Sequence, residues 1–281
     1  MMQLTYSRRQ SLNKLGLTIC VFLLVAFVAF PLVWMFTSSL KGPAEMFSAT
    51  PSLIPHHVTL ENYKTLLDHT NFRRWFLNTI IIAIGNISLV VAVATLGAYS
   101  LCRFQYPGRR LVSISILFTY FFPPVLMLVP IFLILLKLHL LNTYFGLILA
   151  NSTFGLPFAV WFLRSFFESM PIQIEEAAMI DGAARVRVLF DVVLPQALPG
   201  IIAVSIFSFI TSWNEYLFAS TIMSTDVNKT LSPGIANLAN SNDILWGPLM
   251  AASVLVTVPI LVFFIFLQQR LVGSVRSGVK G

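Results

Sequence analysis

Residues 170–199 read MPIQIEEAAMIDGAARVRVLFDVVLPQALP, a helix-forming, partly polar stretch between two long apolar runs at 144–164 and 198–222. A chain that leaves one membrane-length run, builds a helical elbow and enters another is a polytopic membrane protein with an ordered connecting arm. Pro171 suits the first turn of a helix, where its missing N–H costs nothing. Glu175 and Glu176 follow in an early turn, where the helix dipole favours negative charge. Gly182 interrupts the helix, and a second helical stretch runs to about Val193. Leu194-Pro195 is expected to close it, because the residue before a proline resists helical geometry. Two short helices at an angle bury little against lipid or each other, so their apolar side wants a partner. Ala177 and Ala178 permit close approach, and Glu176 offers a charge to a basic residue.

Working outward, apolar runs recur at approximately 17–37, 76–100, 111–136, 144–164, 198–222 and 247–268. Each approaches the length of about 20 residues that crosses a bilayer as a helix. Lipid offers backbone groups no outside partner, so helices are the expected form. The fold class is therefore all-α, a polytopic membrane helical bundle of about six transmembrane helices with a cytoplasmic arm. Composition agrees: 57% of residues are hydrophobic and only 10% charged, against roughly 25% charged in soluble domains. The net charge of +7 lies in short connections between apolar runs, which argues for membrane topology and against nucleic acid.

Ser7-Arg8-Arg9-Gln10 loosely resembles a twin-arginine export signal, but the run that follows is longer than a signal core and reads as a permanent span. With the N-terminus inside, the cytoplasmic segments hold Arg8, Arg9, Lys14, Arg103, Arg109, Arg110, Arg164, Arg185, Arg187, Arg270, Arg276 and Lys280. These are twelve of the 18 Lys and Arg residues, so both termini are expected in the cytoplasm. The chain is expected to divide into an N-terminal tail, first span and extracytoplasmic loop (1–74), a membrane-spanning core (75–270) and a cytoplasmic tail (271–281). The loop from about Ser38 to Arg74, with Pro43, Pro51 and Pro55, reads as a partly ordered external cap.

Pro31, Pro123, Pro124, Pro130, Pro157 and Pro259 fall inside spans, where each removes a hydrogen bond and favours a kink. Cys20 and Cys102 lie in different regions and are not expected to pair. His56, His57, His69 and His139 read as loop histidines, and no metal-ligand spacing surrounds them. Glu215 is the clearest ionisable residue within a span, a position that defaults to a functional hypothesis. With Asn151, Ser152, Trp213 and Asn214 it forms a candidate substrate pathway: indole faces stack on sugar rings, and amides and carboxylates bond hydroxyls. The competing reading is helix–helix gluing. No phosphate-binding G-x-x-x-x-G-K-[ST] loop occurs, and no catalytic constellation stands out. The chain reads as a non-enzyme with no metal site and no bound cofactor.

Glu176-Ala177-Ala178, three residues, Gly182, nine residues, then Val192-Val193-Leu194-Pro195 resembles the EAA loop of permease subunits of ATP-binding-cassette (ABC) importers. Every spacing matches that pattern, and Val192 replaces the usual Ile. Leu60-Glu61-Asn62-Tyr63, Ala98-Tyr99-Ser100-Leu101-Cys102-Arg103-Phe104 with Pro107-Gly108, Ser212 to Ala219, and the terminal Gly278-Val279-Lys280-Gly281 are similar to the carbohydrate, MalG-type branch of that family.

The resemblance implies a division of labour. A second permease subunit would complete the pathway, two ABC ATPase subunits would use ATP and magnesium, and an extracytoplasmic solute-binding protein would deliver a sugar. Glu176, Ala177, Ala178, Asp181, Gly182, Leu194 and Pro195 would form the coupling element that docks on an ATPase. Arg276 and Lys280 would contact the ATPases from the tail. Two alternatives stay open at this level: the same machine carrying a polyol, glycerol phosphate or other osmolyte, and an ion-coupled secondary transporter.

Overall fold

The computed structural model describes residues 2–48, 50–239 and 245–278, with side chains described for these outside 2–13, 15 and 266–278. Among the described residues the regular elements are helical. They are α1 (Met2–Ser39), α2 (Pro43–Met46), α3 (Glu61–His69), α4 (Phe72–Arg103), α5 (Arg109–Tyr120), α6 (Pro124–Lys137), α7 (Tyr144–Glu168), α8 (Ile172–Ile180) and α9 (Arg185–Val188). A π-helical turn (Leu189–Val193) follows, then α10 (Leu194–Trp213), α11 (Leu217–Ile222), a 3₁₀ turn (Asp226–Asn228), α12 (Leu231–Ala239) and α13 (Trp246–Gly278). Five stretches are long and apolar enough to cross a bilayer: Gly16–Ser39, Phe72–Arg103, Tyr144–Glu168, Arg185–Trp213 and Trp246–Ile265.

The third apolar run corrects the expectation of one kinked span. It is a broken pair, α5 and α6, bent by 105°. Pro123 is extended at φ −60°, ψ 127°, and Pro124 starts α6. Pro124 lacks the N–H that would carry α5 onward, and each proline disfavours helical geometry in the residue before it. The fifth run also breaks, between Trp213 and Leu217. Pro31, Pro130, Pro157 and Pro259, by contrast, sit inside continuous helices.

The chain packs as two compact units. One comprises the segments up to Thr70 and from Leu238 to Thr257; the other comprises Asn71–Asn237 and the segment from Val258 onward. Within the first unit Gly247 lies against the Asn62 amide, where a Cβ would collide. Asn62 also donates to the carbonyls of Ser39 (2.9 Å) and Lys41 (2.8 Å). The Tyr63 hydroxyl meets Ser39 Oγ at 2.8 Å. The Leu60–Tyr63 stretch thus fastens α3 to the end of α1. The expected cap is ordered by Glu45, which accepts from Ser52 Oγ at 2.9 Å and from the His56 amide at 3.0 Å, and pairs with His56 Nδ1 at 3.0 Å. These bonds, the His56 amide first, hold its carboxyl down at about 2.

In the second unit α4, α7 and α10 pack on one another, with α5 against α7. Ala94 and Ala98 of α4, and Ala150, Gly155 and Ala159 of α7, are buried. Small residues of this kind let helix backbones approach where lipid removes any hydrophobic drive between helices. Buried polar groups act as struts. Asn78 donates to the carbonyls of Val227 (2.8 Å) and Lys229 (2.9 Å), and accepts from the Tyr144 hydroxyl at 2.7 Å.

Candidate functional site

The α8–α9 elbow is built by a helix cap. Pro171 is the N-cap residue, one position earlier than expected, and Asp181 is the C-cap. Gly182 has φ +90°. Its N–H reaches the Met179 carbonyl at 3.1 Å, and the Ala183 N–H reaches that of Ala178 at 3.0 Å. That pair of bonds is the Schellman arrangement, in which a left-handed glycine follows the C-cap. The physical content of Glu-Ala-Ala, three residues, Gly is therefore a helix of fixed length stopped at a fixed place. Ala184 is extended and caps α9.

The second limb differs from expectation. Leu194-Pro195 does not end it: Leu194 is helical at φ −61°, ψ −42°, and α10 continues into the span. The reason lies in the π turn. The Leu194 N–H bonds the Leu189 carbonyl, five residues back, and Pro195 falls in the first turn of α10, where its missing N–H is tolerated.

The elbow has an inner and an outer side. Glu175, Val188, Leu189 and Val193 are buried, and Ala178, Met179, Ala183 and Leu194 pack against the bundle core. Glu176, Ala177, Asp181, Gly182 and Pro195 are exposed. So are apolar side chains: Ile180 at 85%, Val186 at 68% and Phe190 at 56%. Of the expected docking residues, Ala178 and Leu194 face the bundle; the others form an outer face with two exposed carboxylates, Glu176 and Asp181, beside apolar patches. Lys280 lies outside the described residues, and of Arg276 only the helical backbone is described.

Sequence reasoning missed the inner anchor. Glu175 Oε1 accepts from Arg103 Nε at 2.6 Å, and Oε2 accepts from the Tyr99 hydroxyl at 3.0 Å. Both charged side chains are almost fully buried. A usable signal was present, since Arg103 closes the run Ala98–Arg103 and Glu175 precedes Glu176, but nothing in one sequence pairs residues so far apart.

A second feature is a cavity of about 390 Å³, within the roughly 300–1,000 Å³ of small-molecule pockets. It lies where both broken runs meet α7. Rings of Tyr120, Phe122, Phe154, Phe207 and Phe218 line it, with Asn151, Thr211, Ser212 and Glu215 as polar groups. Among the described residues its walls carry no Lys, Arg or His. Asn151 is 8% exposed; its amide reaches Ser212 Oγ at 3.4 Å, while its Oδ1 has no partner among the described residues. Glu215 accepts from the N–H groups of Phe218 (2.7 Å) and Ala219 (2.8 Å), so it also caps α11.

Only part of the expected pathway comes together here. Asn151 and Glu215 line the cavity. Trp213 does not: it is 2% exposed, between Phe76 (5.8 Å, edge-on) and Phe209 (5.2 Å, stacked). Ser152 is buried against the Leu149 carbonyl, and Asn214 turns back to that of Ile210. The rings that face the cavity are those of Tyr120 and four phenylalanines.

Residues 95–277 match the family described as "Binding-protein-dependent transport system inner membrane component". The chain is 41% identical over 254 residues to the diacetylchitobiose uptake system permease protein NgcG of Streptomyces coelicolor, covering 89% of this chain and 83% of the relative. It is 33% identical over 278 residues to the trehalose/maltose transport system permease protein MalG of Thermococcus litoralis, covering 98% and 99%. Among solved structures, a bacterial ABC transporter importing the acidic polysaccharide alginate superposes with a TM-score of 0.82 at 22% identity, covering 93% of this chain and 97% of that one.

Proposed function

Because the chain belongs to the family of inner membrane components of binding-protein-dependent transport systems, we propose that it carries a neutral sugar inward, driven by ATP hydrolysis in partner chains. It is a multi-pass transport permease subunit. The carrying observation is the capped elbow, whose inner side is locked into the bundle while an apolar face with the carboxylates of Glu176 and Asp181 stands outside. An ATPase seated on that face would move the spans between inward-open and outward-open states. Glu176 would meet a basic residue of the ATPase, and the termini would lie in the cytoplasm. A second permease subunit, two ATPase subunits and an extracytoplasmic solute-binding protein complete the machine.

The neutral class follows from the cavity walls. Aromatic rings offer faces to sugar rings, Thr211 and Ser212 offer hydroxyls, and the one acidic side chain of the lining is Glu215. A carboxylated or sulfonated sugar would be buried there beside an acidic side chain with no Lys, Arg or His in the lining to pair it. Of the similar proteins named above, the two at 33% and 41% identity are described as carrying diacetylchitobiose and trehalose or maltose, which are neutral, and the alginate importer, at 22%, shares the fold. The test is uptake of radiolabelled diacetylchitobiose, trehalose, glycerol 3-phosphate and an alginate oligosaccharide in cells with and without this gene. Gene-dependent, vanadate-sensitive, ionophore-insensitive uptake of a neutral sugar supports the proposal. Ionophore-sensitive uptake, or uptake of the anionic compounds alone, contradicts it.

A further inference from the structure

Arg103 stands where three helices end. Its Nε binds Glu175 of α8 at 2.6 Å. Its Nη2 donates to the carbonyls of Phe167 (3.0 Å), in the last turn of α7, and Met170 (3.3 Å), in the joint before α8. Its own backbone is the last residue of α4. Helix C-termini favour a cation, and here one guanidinium serves two of them. The other limb touches the same place, with the Arg185 guanidinium 5.2 Å from the Phe104 ring and Tyr99 packed edge-on against Phe104 and Phe167.

Two buried charges are costly to hold out of water, and such a pair is weak evidence of stabilisation for its own sake. What this pair fixes is a joint. Only Ser169, Met170 and Pro171 separate α7 from α8, and without a fastening that joint would flex when α8 is pushed. We propose that Arg103 and Glu175 are positioning residues that lock the elbow to the ends of α4 and α7, so that displacement of α8 moves these spans as one piece. The inference rests on reading the elbow as the element that receives an ATPase.

The test uses the whole transporter, purified from its own host through a tag on this chain and reconstituted in liposomes. Spin labels are placed at Gln173→Cys and Ile84→Cys, both exposed positions, in a background lacking native thiols. In the otherwise unaltered chain the label separation stays constant between nucleotide-free and ATP–vanadate states. In Glu175→Gln the ATPase still assembles and hydrolyses ATP, but the separation changes with nucleotide. Diacetylchitobiose or trehalose transported per ATP falls about tenfold, within the usual range of coupling factors. Arg103→Lys, which keeps the charge and loses the fork, is intermediate. A wild-type separation that shifts with ATP overturns the proposal. So does a Glu175→Gln variant with a fixed separation and intact transport per ATP, or one that lowers only the yield of assembled complex. If the wild type shows no ATP-dependent uptake at all, the underlying reading falls first and this one with it.

Discussion

Glu175 and Glu176 are adjacent in sequence and serve opposite sides of one helix. Glu175 is 4% exposed and bound to Arg103, whereas Glu176 is exposed. Successive residues of an α-helix point about 100° apart, so one carboxylate ties α8 to the bundle and the next is presented outward. A single short helix thereby has one face fastened to the bundle and one face exposed.

Charge reversal at the docking face should separate binding from folding. Glu176→Lys is expected to insert normally and to lose both uptake and co-purification of the ATPase. Membrane abundance by immunoblot, ATPase recovery on the affinity column and sugar uptake check this. Normal uptake by the variant would remove Glu176 from the docking role.

Gly182 sits at φ +90° with open space around a would-be Cβ, so conformation rather than collision limits substitution. A non-glycine residue held in left-handed geometry costs roughly 1–2 kcal/mol. Gly182→Val is expected to reduce uptake severalfold with little loss of membrane-inserted protein. Gly182→Asn is expected to be milder, because Asn tolerates this region best. Uptake normalised to protein amount distinguishes the two.

The Glu45 clasp predicts a pH dependence. Its folded value is depressed to about 2 from the ordinary 4.5, so its contribution to cap stability is fully present above about 4.5 and is lost as pH falls toward 2. Protection of the His56 amide from hydrogen exchange, corrected for intrinsic rates, should exceed that of Glu45→Gln at pH 6. The two should converge only as the pH reaches about 2.

Glu215 caps α11 in the break that follows the Arg185–Trp213 helix. Glu215→Ala leaves the N–H groups of Phe218 and Ala219 without this acceptor, at about 1–3 kcal/mol for a buried unsatisfied donor, and should lower both thermal stability in detergent and uptake. Glu215→Gln keeps one acceptor oxygen and should be the milder variant in the same melting assay.

Much of the bundle was legible because hydropathy and period act locally. The apolar runs, the helix-stop at Gly182 and the polar arm follow from residues close in sequence. The breaks at Pro123 and after Trp213 were harder: prolines also sit quietly inside α6, α7 and α13, and what distinguishes Pro123-Pro124 is their tandem placement. Long-range pairings such as Arg103 with Glu175, or Asn62 against Gly247, leave no local trace. Trp213 misled because an aromatic beside polar residues reads the same whether it faces a cavity or, as here, lies buried between two rings.

In the proposed machine the outer face of the elbow lies in the cytoplasm beneath an ATPase. A cysteine at Ile180, with Cys20 and Cys102 replaced by serine, reports this when probed with a membrane-impermeant maleimide. Labelling is expected in inside-out vesicles stripped of the ATPase, to be blocked when the ATPase is restored, and to be absent in right-side-out spheroplasts. Labelling from the external face, or labelling that the restored ATPase leaves undiminished, would contradict the account.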